Sequence, residues 1–248
     1  MASANLRPRV SVVIPARDEA ANLPTVLASL PDDVFEIVLV DGASTDGTPD
    51  VARACRPDVR VIDQVGQGKG AALLTGFAAA KGDIVVMFDG DGSAKADEIP
   101  RFVKALEEGA DLAKGSRFIN GGGSADITPV RRLGNIFLRK TVNRLFKTKY
   151  TDLCYGYNAI WAHRLPELGL DCTGFEFESL LNIRAARARL QVREVPSYEE
   201  RRLHGRSNLH AVRDGVRILK LILRERSSFE SFRRSETVLG QAPGFRET

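Results

Sequence analysis

The chain has 248 residues, 43% hydrophobic and 27% charged, which suits one substantial folded domain and excludes a disordered, collagen-like or coiled-coil protein. Its net charge of +4 hides an asymmetry: residues 1–129 carry 13 Lys and Arg against 19 Asp and Glu, whereas residues 130–226 carry 20 against 10. An acidic first half and a basic second half suit different partners, a cation in the one and a phosphate or anionic surface in the other.

Short β-branched runs alternate with helix-period segments through the first half, the pattern of βαβ units in a largely parallel sheet. Strands are predicted at Val10–Ile14, Glu36–Val40, Val59–Ile62 and Ile84–Phe88, and helices at Glu19–Leu30, Thr48–Cys55, Gly70–Ala80 and Ala96–Glu108. The runs Val38-Leu39-Val40 and Val85-Val86-Met87-Phe88 are nearly continuously apolar, as strands covered on both faces are. The second half opens with a Gly-rich stretch, Gly115 to Gly123, and a basic amphipathic segment, Val130–Lys149. A helix at Phe175–Leu190, a strand near Gln191–Val195 and a basic helix near Leu209–Arg226 follow; the tail from Ser227 to Thr248 is expected to fray. The pattern predicts one α/β domain over residues 1–226.

In open α/β sheets ligands bind beyond the carboxyl ends of the strands. Here those ends are polar: Pro15-Ala16-Arg17-Asp18-Glu19, then Asp41 to Thr48, then Asp89-Gly90-Asp91-Gly92-Ser93. Two carboxylates one residue apart can grip a hard divalent cation, and Asp and Gly also make ordinary acidic turns; both readings of Asp89 and Asp91 stand at this level. Asp46 or Thr48 is expected to cap the next helix, while Asp41, at the strand terminus, is placed to accept hydrogen bonds from a nucleobase or ribose. The segment Gly66-Gln67-Gly68-Lys69-Gly70-Ala71 has the form of a dinucleotide fingerprint but follows the third strand instead of opening the domain, and its spacing fails as a phosphate loop. The preferred reading is close approach of backbone to ligand, with Lys69 on a phosphate or base. Gly115-Ser116-Arg117 places a guanidinium where a diphosphate can use its planar fork, and Arg201 to Ser207 forms a second candidate anion site. Asp152, or Glu178 near a helix start, is available as a general base, although Glu178 also suits the helix dipole.

Three cysteines at wide spacing form no disulfide framework or zinc motif, and no window approaches the roughly 20 apolar residues of a bilayer span. The expected setting is cytoplasmic, at most peripheral at the inner face of a membrane. The two amphipathic basic segments raise the prospect of interfacial contact. Their charge lacks the interleaved aromatics of a nucleic-acid platform, so no nucleic-acid partner is expected.

In order along the chain, these blocks resemble family 2 glycosyltransferases of the GT-A fold, and within them the polyprenyl-phosphate (dolichol-phosphate) mannosyl- or glucosyltransferase branch. The resemblance covers about residues 9–224. It implies a Rossmann-like, mostly parallel sheet flanked by helices, with a nucleotide-sugar-binding half at about 9–115, an acceptor-binding half at about 116–226, and Pro15, Ala16, Glu19, Asp41, Lys69, Asp89 and Gly90 toward the nucleotide. Asp89 and Asp91 match the DxD motif for Mg2+ or Mn2+; Arg117 and Arg202, with Gly205 and Ser207, fall in later blocks. The branch often has Gln where this chain has Ser93, which leaves the third metal ligand open. The implied reaction is inverting transfer of a hexose from a UDP-glucose- or GDP-mannose-type donor to a polyprenyl phosphate, with Arg117 and Arg202 helping to neutralise the leaving diphosphate. Asp152 and Glu178 remain candidates for the base that a hydroxyl acceptor requires. The alternatives are a glycosyltransferase with a soluble hydroxyl acceptor and an NAD-type oxidoreductase using Gly66–Ala71.

Overall fold

The computed structural model describes residues 7–205 and 209–239. Strands β1 (Val10–Ala16), β2 (Glu36–Asp41), β3 (Arg60–Asp63), β4 (Ile84–Met87), β5 (Leu112–Ser116), β7 (Asn158–Trp161) and β8 (Val192–Pro196) form one sheet in the order β3-β2-β1-β4-β7-β5-β8. All neighbours are parallel except β7, which runs antiparallel to both β4 and β5. Strands β7 and β8 come from the basic half, so both halves of the chain share a single sheet. A second ribbon pairs β6 (Gly123–Ser124) with β9 (Tyr198–Glu199) beside the sheet.

The continuous apolar runs are explained by burial on both faces. Val12, Ile14, Ile37, Leu39, Val86 and Phe88 point to one side, against α1 (Leu23–Ser29) and α4 (Ile99–Glu107). Val13, Val38, Val40, Val85 and Met87 point to the other, where α3 (Lys69–Ala79) and α7 (Phe177–Arg187) cover them. Helix α2 (Thr48–Cys55) packs beside α1, and the short α6 (Leu165–Leu168) beside α7. A third cluster, with Leu138, Val142, Ile183, Ile218 and Ile222, joins α5 (Pro129–Phe146) and α8 (Ala211–Leu239) to α7. No helix among the described residues is long and apolar enough to cross a membrane.

Two predicted boundaries are corrected. The first helix begins at Leu23, not Glu19. Residues 18–22 form a turn instead, with Asp18 at φ +55°, the Glu19 amide donating to Thr48 Oγ1 at 2.9 Å and the Ala20 amide to Asp46 Oδ2 at 2.9 Å. This turn delivers the Glu19 carboxylate to the sheet's carboxyl edge. The last helix does not end near Arg226 but continues to Leu239, and residues 240–248 of the predicted tail lie outside the described residues. No Gly or Pro interrupts residues 216–239. The Ser227 and Ser228 hydroxyls also turn back to donate to the Arg224 carbonyl.

Candidate active site

A cavity of about 1260 Å³ opens at the carboxyl edge of β1, β2 and β4. Its wall includes Pro15, Ala16, Glu19, Lys69, Asp89, Gly90, Asp91, Glu178 and Arg202, so most of the residues singled out in the sequence converge there. Lys69 Nζ lies 2.7 Å from Asp89 Oδ1 and 3.0 Å from Glu178 Oε1. The Arg202 guanidinium bridges Glu19, at 2.8 Å, and Asp91 Oδ2, at 2.9 Å. Around the Asp89-Gly90-Asp91 turn, four carboxylates thus meet two cations.

That imbalance shows in the acid–base properties. Burial raises the Asp89 carboxyl above the ordinary carboxylate range despite Lys69, and Asp91 and Glu178 add to the rise. Burial works against the Lys69 ammonium, but Asp89 and Glu178 outweigh it and raise its pKa. Two surplus negative charges in a largely desolvated pocket fit a divalent cation. The donor set, hard carboxylate oxygens with phosphate oxygens and water completing the shell, suits Mg2+ or Mn2+. Asp89 and Asp91 are the residues that would hold it. No cluster of three or more His, Cys, Asp or Glu arranged for a metal occurs among the described residues. Ser93 acts through its neighbour: its amide and hydroxyl donate to Asp91 Oδ1 at 2.9 and 2.6 Å, fixing that carboxylate and leaving Oδ2 toward Arg202.

Backbone contacts set the two cations in place. The Glu200 amide donates to the Ser93 carbonyl and the Leu203 amide to the Asp91 carbonyl, zipping the segment that carries Arg202 onto the DxD turn. Arg206 and Ser207 lie outside the described residues. At Lys69 the structure corrects the expected role of the glycines. The Gly70 and Ala71 amides donate to the Thr173 carbonyl at 2.9 and 3.3 Å. A Cβ on Gly68, whose φ is +95°, would sit 2.3 Å from that same oxygen, and one on Gly70 would sit 2.4 Å from the Cys172 carbonyl. The glycines therefore permit close packing of α3 on the 172–174 backbone. The Gly70 and Ala71 amides are thereby engaged, while Gly66, Gln67 and Gly68 remain part of the cavity wall.

Asp41 is not itself in the cavity wall but is buried beside the cavity residues Gly42 and Ala43. Its Oδ2 accepts from the Ser44 amide at 3.2 Å, while Oδ1 is buried without a partner, an acceptor in want of a donor such as a base N–H. The expected cap by Asp46 or Thr48 is not made: the N-cap of α2 is Gly47, without a side-chain cap hydrogen bond, and Asp46 accepts from the Thr48 amide and hydroxyl instead.

Two expectations fail on geometry. Arg117 and Asp152 are not in the cavity wall. Arg117 Nε and NH2 donate to the two Asp152 oxygens at 2.7 and 3.0 Å, NH1 donates to Glu199 Oε2 at 3.0 Å, and the guanidinium lies 4.7 Å from the Tyr155 ring centroid. Arg117 is thus spent internally and not free for a diphosphate. Asp152, although burial alone would raise it, is held below the ordinary carboxylate range by Arg117, which makes it a poor base. Glu199, which the sequence did not single out, joins this buried network to the cavity and also accepts from the Ser124 hydroxyl.

An open α/β sheet with an acid pair and two flanking cations at its carboxyl edge has the make-up of a site that could take a metal and phosphates. Residues 11–166 match Glycosyl transferase family 2, and the chain belongs to that family as a GT-A glycosyltransferase. It is 35% identical over 220 residues to the polyprenol monophosphomannose synthase of Mycolicibacterium smegmatis, covering 81% of this chain and 82% of that one. To the undecaprenyl-phosphate mannosyltransferase of Micrococcus luteus it is 34% identical over 212 residues, covering 79% and 85%. Among solved structures, glucosyl-3-phosphoglycerate synthase of Mycobacterium tuberculosis, in complex with Mn2+, UDP-glucose and phosphoglyceric acid, matches with a TM-score of 0.72 at 26% identity, covering 89% of this chain and 80% of that one. Against one longer relative the chain spans 55% of the length. Family membership sets aside the oxidoreductase reading of Gly66–Ala71.

Proposed function

We propose that the chain transfers a hexose, with inversion, from a UDP-glucose- or GDP-mannose-type donor to a polyprenyl phosphate, using Mg2+ or Mn2+ held by Asp89 and Asp91. The observation that carries this reading is the cluster of four carboxylates and two cations facing one cavity. The lipid acceptor draws its support from the polyprenol- and undecaprenyl-phosphate relatives.

Held by Asp89 and Asp91, a divalent ion would supply charge neutralisation to the leaving diphosphate. Asp41 Oδ1 receives a base N–H, and Pro15, Ala16 and Gly90 shape the nucleoside pocket. Lys69 and Arg202 leave their carboxylates for the diphosphate oxygens, where the Arg fork and the Lys point charge stabilise the departing anion. Glu19 and Glu178 orient these cations before the donor arrives. A phosphate acceptor is already ionised at neutral pH and needs no strong base. A soluble hydroxyl acceptor is the second reading. It is favoured by the likeness to glucosyl-3-phosphoglycerate synthase and by the Glu178 carboxylate in the cavity wall, the remaining base candidate once Asp152 is bound to Arg117.

The test is incubation with Mn2+, a panel of UDP- and GDP-hexoses, and either a short-chain polyprenyl phosphate or phosphoglycerate, with products read by mass spectrometry. A glycosylated polyprenyl phosphate that disappears with EDTA is expected. Product on phosphoglycerate alone overturns the lipid acceptor, and turnover unaffected by EDTA overturns the metal.

A further inference from the structure

Helices α5 and α8 pack against each other through Leu138, Val142, Ile218 and Ile222, and both border the cavity at their first turns, through Arg131 and Arg213. Each also presents large apolar side chains to solvent. Val130, Leu133 and Phe137 on α5 and Val212, Val216 and Leu223 on α8 are between 47% and 70% exposed. The spacings i, i+3, i+7 and i, i+4, i+11 put each trio on one helical face, so these are two stripes and not scattered residues.

The exposed charge around the stripes is mainly positive, although the half-exposed Asp171 pairs with Arg224 beside α8. Helix α5 contains five Arg and Lys and no acid. Over residues 211–228 of α8 the acids are Asp214 and Glu225, both about 1% exposed, while Arg213, Arg217, Lys220 and Arg224 are exposed; Glu230 and Glu236 lie further along the helix. We propose that this two-helix face seats the protein on an anionic lipid surface, with the mouth of the active-site cavity opening toward the headgroups. Apolar stripes flanked by exposed cations are the pattern of helices lying in a membrane interface, where buried aliphatic area and attraction to acidic headgroups add. A second copy is a poor occupant, because a symmetric contact through this face sets cation against cation. A nucleic acid is also a poor one, because five of the six exposed apolar side chains are aliphatic and offer no stacking platform.

This inference rests on the polyprenyl-phosphate reading only for its biological purpose; the seating itself is measured without substrate. The full chain is sedimented with vesicles of phosphatidylcholine alone and of phosphatidylcholine with phosphatidylglycerol, beside the triple variant Leu133→Asp, Phe137→Asp, Val216→Asp. The native chain is expected to bind the anionic vesicles in a salt-sensitive way, and the variant at least about tenfold more weakly. The variant keeps its thermal midpoint and its turnover on a short-chain, water-soluble polyprenyl phosphate, because none of the three residues lines the cavity. Absence of vesicle binding, binding unchanged in the variant, or a dimer that the variant dissociates would each overturn the seating. Vesicle binding with no transfer to any polyprenyl phosphate leaves the seating intact and removes the acceptor assignment.

Discussion

Asp91→Asn is expected to lower turnover by about 10²- to 10³-fold at saturating Mn2+, the scale of removing one preorganised electrostatic contact from a transition state. The substitution is nearly isosteric, and the amide oxygen can still accept from Ser93, so the turn at 89–93 keeps its shape. What it loses is a negative charge in a pocket whose four acids outnumber its two cations. With one charge gone the site holds a divalent ion less tightly, and the new amide offers Arg202 a donor where it had an acceptor. Both kcat and donor affinity therefore fall while the thermal midpoint stays near that of the native chain. Kinetics in a manganese series measure this, and unchanged turnover would remove Asp91 from the mechanism.

Arg117→Ala is expected to act on stability. Two carboxylates, Asp152 and Glu199, are left buried without their counter-charge, which typically costs about 3–5 kcal/mol. For a domain of this size that is a fall in Tm of roughly 6–20 °C. An arginine serving the donor phosphate, as the strand-end position first suggests, would instead raise the donor KM and spare Tm, so calorimetry beside kinetics separates the two roles. The acid limb adds a check. The Asp152 carboxyl is depressed in the folded chain, so its stabilisation is fully present above the unfolded value near pH 3.9 and is lost as pH falls through the lower folded value. The native chain is therefore expected to lose stability on acidification below about pH 4 more steeply than the variant, as pH-dependent unfolding would show.

The difference between these two arginines marks how far the sequence reached. The parallel strands β1, β2 and β4 were legible because burial on both faces demands unbroken apolar runs, and the ligand-facing acids follow those runs directly. Strand β7 was not legible: four residues beginning with Asn158 carry little periodicity, and the strand is inserted antiparallel between β4 and β5 by tertiary pairing alone. Strand β5 was legible only at its end, Gly115-Ser116-Arg117, since the fully buried Lys114 breaks its apolar pattern while its ammonium approaches Glu194 and the Tyr150 ring. At the site, local motifs located Asp89, Asp91, Lys69 and Arg202, but not the pairs they make. Nothing in the spacing of Glu19 and Arg202 shows that one turn of chain near each end meets over the same carboxylate cluster. Arg117 failed for the same cause in reverse: its neighbours in sequence suggested a phosphate, and its neighbours in space are Asp152 and Glu199.

The central claim is that Asp89 and Asp91 form a metal site whose internal cations, Lys69 and Arg202, are released to the donor's diphosphate. Titrating Mn2+ into the native chain, by calorimetry or by the loss of the free-ion magnetic resonance signal, with and without UDP or GDP, tests it most directly. Because Lys69 and Arg202 hold both carboxylates until a diphosphate draws them away, Mn2+ is expected to bind at least about tenfold more tightly when a nucleoside diphosphate is present, with the reciprocal gain in nucleotide affinity. Equal Mn2+ affinity in the two titrations, or nucleotide binding indifferent to EDTA, would contradict it.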